Sequence, residues 1–377
     1  MNNRQRAMAV LNYEKYDRLP IVHFGYWYEL LEQWAAQGHI TEEEFRGYGD
    51  GNQIDIEMNK RLGWDFCWTS SIGANSGLMP GFEYKELSTD SEGFVTYVNH
   101  VGLIEKKRNN IVSIPVTVGT MLTDRKSWEE NYLPRLQPNP ARYPSLETSP
   151  ALREFSENLE ERPFGAHVGS LYGSIRDMLG VEELSYLYAD DEDLYKEVID
   201  TVGNLCYENA KGMFALGLKI DFIHFWEDIC FKNGPLVSPA IFEEYVAPHY
   251  KRITDLAKAN GTKIVSLDCD GCIDKLVPIW FENGVNTMFP IEIGTWDANI
   301  TPWRNAHGKE LRGVGGVDKK VFMYDYAAVD AEIERLRPQI ELGGFLPCPD
   351  HRLAPDSKWE NVQYYCDKMK KIYSDLM

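Results

Sequence analysis

Residues 263–271 read KIVSLDCDG, a largely apolar run that ends in two aspartates with a cysteine between them and a glycine behind them. A short apolar run bounded by charge and glycine is typical of a buried strand. Side chains alternate along a strand, so Asp268 and Asp270 should face one side and Cys269 the other. The run therefore predicts a buried strand that presents two carboxylates together at its carboxyl end.

The same rhythm continues on both sides of this run. From about residue 163, strand-like and helix-like runs alternate, which is typical of βαβ units and a parallel sheet. A strand at residues 21–24 and one further strand that the pattern does not place bring the number to eight, so we predict an α/β fold of the (β/α)8 TIM-barrel type. A doubly wound open sheet is the alternative, but no GxGxxG follows the first strand and the chain has no P-loop. The predicted strands are 164–169, 220–226, 263–267, 287–291, 311–317 and 344–347, and the predicted helices 190–217, 239–260, 273–283, 297–308, 327–339 and 357–375.

The first third of the chain departs from this rhythm. Residues 1–20 read as an N-terminal helical extension, and residues 80–118 alternate as in a β-hairpin insertion, with a turn near 108–110. The proline-rich stretch 134–150 reads as an ordered surface connection. We therefore expect a single TIM-barrel domain over residues 1–377.

Composition narrows the classes of partner. The formal net charge of −19 argues against nucleic acid and against anionic membranes, since both need a surplus of Lys and Arg. The sequence shows neither a signal-peptide pattern nor an apolar run long enough to span a membrane. Seven cysteines, an odd number, suit a reducing compartment better than a disulfide framework. We expect a cytoplasmic protein with no nucleic-acid or membrane partner.

Ionisable residues follow several predicted strands at the point where each strand ends. In a barrel the carboxyl ends of the strands converge on one face, so these side chains should meet there. A competing explanation is that some of them, Asp228 and Asp318 above all, cap the helices that follow. The residues are Glu227, Asp228, Asp268, Asp270, Glu292, Asp318, Asp350 and His351.

The cysteines suggest a different metal site. Cys269-x-x-Cys272, followed much later by Cys348-x-x-His351, has the spacing of a structural Cys3His zinc site. Strand alternation argues against it, because Cys269 would face away from the two aspartates. We favour the carboxylates and keep Cys269 as an additional candidate ligand.

Several short motifs occur in order over about residues 160–370. They are Glu227-Asp228 followed by GPLVSP at 234–239, DCDG at 268–271, GVN at 284–286 leading to PIE at 290–292, GGVDK at 315–319, and GGF at 343–345 before Asp350-His351. Together they resemble the uroporphyrinogen decarboxylase superfamily and, within it, the corrinoid-dependent methyltransferases of the O-demethylase type. The resemblance implies a TIM barrel and methyl-transfer chemistry.

The resemblance also implies a metal site. The family's zinc-binding His-x-Cys pair falls on Asp268 and Asp270, its strand-end Glu on Glu292, and its last Cys on His351. Carboxylate and imidazole are harder ligands than thiolate and suit a metal that polarises an oxygen. The implied function is a Zn²⁺-dependent methyltransferase. It would remove a methyl group from a small O-methyl donor, such as a methoxy-aromatic compound, and pass it to the cobalamin of a separate corrinoid protein.

The remaining site predictions complete this hypothesis. Catalytic roles are predicted for Glu227, Asp228 and His167. Two alternatives stay open: a decarboxylase, which would need an arginine cluster that the aromatic segment after Arg18 lacks, and a non-catalytic member with the Cys3His site. The predicted substrate contacts are His23, Tyr26, Trp27, Tyr172 and Trp226.

Overall fold

A computed structural model describes residues 1–108 and 115–374. Its centre is an eight-stranded parallel (β/α)8 barrel, as predicted. The second strand is the one that the sequence pattern does not place, because residues 68–71 interrupt it. The barrel strands are β1 Val22–His23, β2 Phe66–Cys67 with Ile72–Gly73, β3 Gly165–Gly169, β4 Phe222–Trp226, β5 Ile264–Asp268, β6 Thr287–Ile291, β7 Arg312–Val317 and β8 Phe345–Pro349.

Strand pairing runs around the barrel in chain order. The first piece of β2 pairs with β1 and its second piece with β3, and parallel pairing continues through β8. The ring closes just beyond the strands, where Leu353 donates its N–H to the carbonyl of Gly25 at 3.1 Å and its own carbonyl accepts from Trp27 at 3.2 Å. Strands β5 to β8 are buried along their whole length, as expected for strands covered by helices on one side and barrel core on the other.

Helices surround the barrel, and their starts follow capping chemistry. Asn2 and Thr41, for example, each form a capping box with a Gln or Glu three residues later. The helices are α1 Asn3–Leu11, α2 Tyr28–Ala36, α3 Glu42–Gly47, α4 Gln53–Leu62, α5 Arg125–Ser127, α6 Pro150–Glu157, α7 Gly173–Leu179, α8 Val181–Asp190, α9 Glu192–Ala215, α10 Pro239–Ile241, α11 Ala247–Ala259, α12 Val277–Glu282, α13 Ile293–Trp296, α14 Ile300–His307, α15 Tyr326–Glu341 and α16 Trp359–Ile372. Shorter helical turns are Trp128–Tyr132, Leu133–Leu136, Pro140–Arg142, Phe242–Val246 and Lys319–Met323.

The N-terminal helix is shorter than the predicted extension over residues 1–20. It ends at Leu11, and Tyr13 takes a positive φ of 60°, a conformation that does not continue a right-handed helix. The following residues lead directly into β1.

The insertion is larger than the predicted hairpin. It is a four-stranded antiparallel sheet of Lys85–Thr89, Phe94–Val98, Leu103–Arg108 and Val116–Thr120. Asp90 and Asn99 each accept two backbone N–H groups through one side-chain oxygen, which closes the first two connections. Most of the predicted turn near 108–110 lies outside the described residues.

One apolar core runs through the described chain. Buried side chains from Ala7 to Tyr373 form a single connected cluster. Among the described residues no helix combines the length and the apolar character needed to cross a membrane.

Candidate functional site

A cavity of about 330 Å³ opens at the carboxyl ends of the barrel strands. A larger cavity of about 610 Å³ lies beside α4 and α6, but no imidazole or thiol from the described part of the chain lines it. The strand-end cavity is therefore the candidate site, in the place where barrel proteins carry their chemistry. It is lined by Phe24, Asp50, Thr69, Ser71, His167, His224, Trp226, Asp268, Asp270, His351 and Arg352.

Three of the predicted metal ligands line this cavity: Asp268, Asp270 and His351. Nε2 of His351 lies 3.3 Å from Oδ2 of Asp270. Oδ1 of Asp270 and Nδ1 of His351 are buried and have no hydrogen-bond partner among the described residues. Burial, reinforced by Asp270 and Asp228, raises the pKa of Asp268 well above its usual range. Acidic groups held this close attract a cation.

The fourth predicted ligand, Glu292, stands behind the cavity. Its carboxylate accepts the N–H of Gly271 at 2.5 Å and the hydroxyl of Thr295 at 2.8 Å, so it holds the loop that carries Asp270. Burial, followed by the charge of Asp270, raises the pKa of Glu292. In this structure Glu292 contacts the site through that loop.

Cys269 points away from the cavity, as strand alternation predicts. It is fully buried, and its sulfur accepts the N–H of Ile229 at 3.3 Å. Among the described residues, neither the Cys3His set nor the predicted carboxylate set brings three ligand atoms within 4.8 Å of one another. The Cys3His zinc site is therefore not assembled in this structure.

One other group of metal-ligating side chains does meet that distance: His23, Asp55 and Cys67, all buried. Nε2 of His23 lies 3.4 Å from Oδ1 of Asp55. However, Nδ1 of His23 accepts the N–H of Gly25 at 3.0 Å, so the proton of the neutral ring is on Nε2. A metal-binding histidine normally donates from its second nitrogen, so coordination through Nε2 would break the bond to Gly25. As it stands, Nε2 of His23 is buried without a hydrogen-bond partner among the described residues, while Asp55 accepts the N–H of Gly51 at 2.9 Å and Cys67 contacts the hydroxyl of Thr69 at 3.1 Å.

Two histidines from adjacent strands lie side by side in the cavity wall. His167 on β3 is in register with His224 on β4, and their ring centroids are 6.2 Å apart. Burial lowers the pKa of His167 to about 4 and that of His224 to about 3, so both rings are neutral at pH 7. Nδ1 of His167 accepts the N–H of Gly169 at 3.2 Å, and Nδ1 of His224 lies 3.1 Å from the hydroxyl of Ser266.

An ion pair forms another part of the wall. Arg352, which follows β8, forms two hydrogen bonds with Asp50, one of them 3.0 Å long from Nη1 to Oδ1. Asp50 also accepts the hydroxyl of Tyr48 at 3.1 Å. Within residues 1–108 and 115–374, Arg352 is the one arginine that lines the cavity, and its charge is matched by this partner.

Of the predicted catalytic acids, Glu227 faces away from the cavity. Its fully buried carboxylate accepts the backbone N–H groups of residues 171–173 and the hydroxyls of Ser170 and Tyr250. Asp228 is partly exposed, has a positive φ of 49° and accepts from Arg176 at 3.2 Å. These contacts favour a structural role for Glu227.

The predicted substrate contacts separate into two groups. Trp226 lines the cavity, and Trp27 stacks on His351 with a centroid distance of 5.4 Å. His23, Tyr26 and Tyr172 are buried and do not line it. His23 and Tyr26 stack on one another, and Tyr172 bonds Tyr195, so all three pack behind the wall.

Several cavity residues were not predicted as site residues. His224 occupies an inward-facing position at the end of a buried strand, a signal that the sequence does carry. Asp50 and Arg352 are brought together over a separation of 302 residues, for which the sequence gives no signal. The others are Phe24, Thr69 and Ser71. Asp318 caps the turn Lys319–Met323, as the helix-cap explanation predicts.

Taken together, the parallel barrel and its strand-end cavity define a TIM-barrel protein with its candidate site at the carboxyl-terminal face. The chain belongs to the uroporphyrinogen decarboxylase (URO-D) family, whose family profile matches residues 144–372. No curated protein matches the sequence.

Two solved structures are similar to this chain at low sequence identity. A methyltransferase from Methanosarcina mazei is 14% identical with a TM-score of 0.60, and the alignment covers 99% of each chain. A B12-independent methionine synthase from Shewanella sp. W3-18-1 is 11% identical with a TM-score of 0.49, covering 94% of this chain and 98% of that one. At 14% identity, the likeness to the methyltransferase concerns the fold.

Proposed function

We propose that this protein is a methyltransferase that takes a methyl group from a small O-methyl donor and passes it to the corrinoid of a separate protein. The observation that carries the proposal is the strand-end cavity of a URO-D family barrel, in which carboxylate and imidazole groups face aromatic side chains. Phe24 and Trp226 supply an apolar wall for a methoxy-aromatic ring, while Asp268, Asp270 and His351 supply the polar side.

The charge of the cavity argues against the alternative of porphyrinogen decarboxylation. A substrate with many carboxylates needs several cationic groups. The cavity offers Arg352, already paired with Asp50, together with the acidic Asp268 and Asp270. A polyanion would meet net repulsion there.

The donor set suits a zinc ion. Oδ1 of Asp270 and Nδ1 of His351 are buried and lack protein partners among the described residues, and a metal would satisfy both. Asp268, Asp270 and His351 would hold it after their ligand atoms move closer together than in this structure, with Glu292 supporting the loop behind them. When bound, the zinc would supply a Lewis acid for the donor oxygen, and the corrinoid would supply the nucleophile that accepts the methyl group.

Side chains of the chain itself orient the substrate and exclude water. Phe24 lies between His351 and Phe289, with centroid distances of 5.2 and 4.6 Å, and so separates the polar groups from the barrel core. Trp27 covers the outer face of His351 and holds the ring in place. A methyl donor that packs against Phe24 would present its methyl group toward the open mouth of the cavity.

Exposed aromatic side chains near the mouth support a docking role. Trp27 is 42% exposed, Tyr28 57%, and Phe231, in the short hairpin after β4, 58%. Large aromatic groups left in solvent beside a site are typical of a protein contact surface. We propose that the corrinoid protein binds there.

Methyl transfer can be tested directly. Purified protein is incubated with a corrinoid protein carrying reduced cobalamin and a panel of methyl donors, and the absorbance change of the corrinoid on methylation is followed. We expect an O-methyl donor, such as a methoxy-aromatic acid, to give turnover. If only N-methyl or S-methyl donors react, the assignment to ethers is wrong, and no reaction with any donor would favour the non-catalytic alternative.

Metal content gives an independent test. Protein purified without chelator should contain about one zinc per chain, and Asp270→Ala or His351→Ala should lose most of it, because each removes a ligand. Asp255→Ala, an exposed aspartate paired with Lys251, is the matched control and should keep the metal. A folded wild-type protein without zinc after zinc addition and dialysis would contradict the proposed site.

A further inference from the structure

The hydrogen bonds around the two cavity histidines fix which ring nitrogen carries the proton. For His167, Nδ1 accepts the N–H of Gly169, so the proton of the neutral ring is on Nε2. The same His-x-Gly device holds His23, whose Nδ1 accepts from Gly25. In both cases the glycine has a positive φ, 105° and 95°, which turns its N–H back toward the preceding ring.

For His224 the tautomer follows from a chain of three groups. The indole N–H of Trp68 donates to the hydroxyl oxygen of Ser266 at 3.3 Å. Ser266 is fully buried, and Nδ1 of His224, at 3.1 Å, is the acceptor available for its O–H among the described residues. Because buried donors need acceptors, Ser266 donates to Nδ1 and the ring proton is on Nε2.

Both Nε2–H groups are left without protein partners among the described residues, and both rings line the cavity. An oxygen about 2.9 Å from each nitrogen requires the nitrogens to be within about 5.8 Å of each other. The centroid distance of 6.2 Å is compatible with that spacing. Phe289 packs 6.1 Å from His224 and leaves that side apolar, which strengthens any hydrogen bond made there.

We propose that the Nε2–H groups of His167 and His224 form a two-donor hydrogen-bond site for a negatively charged oxygen of the substrate. The assignment of that oxygen rests on the proposed function: it is the leaving oxygen of the methyl donor. In the transfer, the C–O bond breaks and its electron pair stays on the oxygen, while the new bond to carbon uses a pair from the corrinoid. Neutral N–H donors stabilise the oxygen as this charge develops without transferring a proton to it.

The placement of the pair explains why two histidines are used. Asp268 and Asp270 lie in the same cavity and would repel an anionic oxygen. Such an oxygen therefore needs hydrogen-bond donors that do not also turn an acceptor atom toward it. An imidazole whose Nδ1 is already occupied presents only an N–H. The cavity thus has a carboxylate side for a cation and an N–H side for an anion.

Ring ¹⁵N NMR tests the site without enzyme turnover. In protein labelled at its eight histidines, His167 and His224 should show Nε2–H tautomers at pH 7. Addition of 4-nitrophenolate, a probe for the leaving oxygen, should shift the Nε2 resonances of both rings. Nδ1–H tautomers, or binding that shifts neither ring, would overturn the proposal.

Variants then measure each donor. His167→Leu and His224→Leu should each weaken 4-nitrophenolate binding about 10- to 100-fold, the range for a hydrogen bond to a charged group. His224→Gln, which can still present an N–H, should lose less, and His307→Leu, on α14 against Phe281, should bind as wild type. Equal affinity in all variants would refute the site, and tighter binding of benzoate than of 4-nitrophenolate would overturn the assignment to the leaving oxygen.

The two proposals can fail separately. Probe binding that shifts both rings, in a protein inactive with every methyl donor, would leave the hydrogen-bond site standing and remove the proposed function. If an O-methyl donor is turned over and His224→Leu leaves that turnover unchanged, the proposed function stands and the hydrogen-bond site is removed.

Discussion

Replacing Glu227 by glutamine should destabilise the protein without touching the cavity. Oε2 of Glu227 accepts from Ser170 and from the N–H groups of residues 172 and 173, at 2.8–3.0 Å. Oε1 accepts the N–H of Leu171 at 2.8 Å and the hydroxyl of Tyr250. One buried carboxylate thus anchors the loop after β3, the start of α7 and the side of α11.

The magnitude follows from these contacts. In Glu227→Gln the amide oxygen can keep the three donors on the Oε2 side, and Tyr250 can turn its hydroxyl to accept from the new NH₂ group. The N–H of Leu171 then faces another N–H, and a buried unsatisfied donor costs about 1–3 kcal/mol. Loss of charge at the three remaining bonds adds about 1 kcal/mol each. Relief of the burial that raises the pKa of Glu227 offsets part of this, leaving about 3–4 kcal/mol.

The assay is urea unfolding followed by tryptophan fluorescence and far-UV circular dichroism at pH 7. Tyr250→Phe, which removes one donor, should cost about 1–2 kcal/mol. A Glu227→Gln variant that loses less than 1 kcal/mol would refute the structural account. If that variant also lost methyl transfer, the original catalytic assignment of Glu227 would be restored.

Two further perturbations test neighbouring features. Gly173→Ala should unfold the start of α7, because a Cβ there would lie 1.9 Å from the carbonyl oxygen of Glu227. Gly77→Ala is the control and should have little effect, since the atom nearest to its added Cβ lies 3.4 Å away. Midpoints of thermal unfolding that fall equally in both variants would contradict this. His224→Gln should gain stability relative to wild type as the pH falls. In the folded protein the pKa of His224 is lowered to about 3, whereas in the unfolded chain it is about 6.5. Below about pH 6.5 the unfolded chain therefore binds a proton that the folded protein does not bind. By pH 4.5 this lowers the free energy of unfolding of the wild type by about 2–3 kcal/mol, and the variant keeps that stability. Urea unfolding at pH 7.5 and 4.5 measures the difference, and a pH-independent gap between the two proteins would count against the neutral buried ring.

The sequence predicted the barrel because its strands are buried on both faces and its helices repeat at regular intervals. Alternation along residues 263–271 was enough to place Asp268 and Asp270 in the cavity and Cys269 outside it. Those inferences depend on local periodicity, which the fold preserves. The four-stranded insertion was underestimated, although Asp90 and Asn99, each followed three residues later by glycine, mark its first two turns.

What the sequence could not supply were contacts between distant segments. Asp50 lies in a loop after α3, and only its pairing with Arg352 brings it to the cavity. Glu227 follows a strand like its neighbours, yet the donors that bury it come from two other elements. The direction of a strand-end side chain depends on such partners, and a one-dimensional pattern does not encode them.

The closure of the barrel between its first and last strands has a consequence for biosynthesis. The cavity wall at Asp50 is completed by Arg352, and the loop after β1 is tied to Leu353. During translation the loop after β1 and the loop that carries Asp50 stay exposed until Arg352 and Leu353 have been made. We expect the nascent chain to expose an aromatic-rich surface while the intervening strands are made, and to form its site only when β8 leaves the ribosome and joins β1.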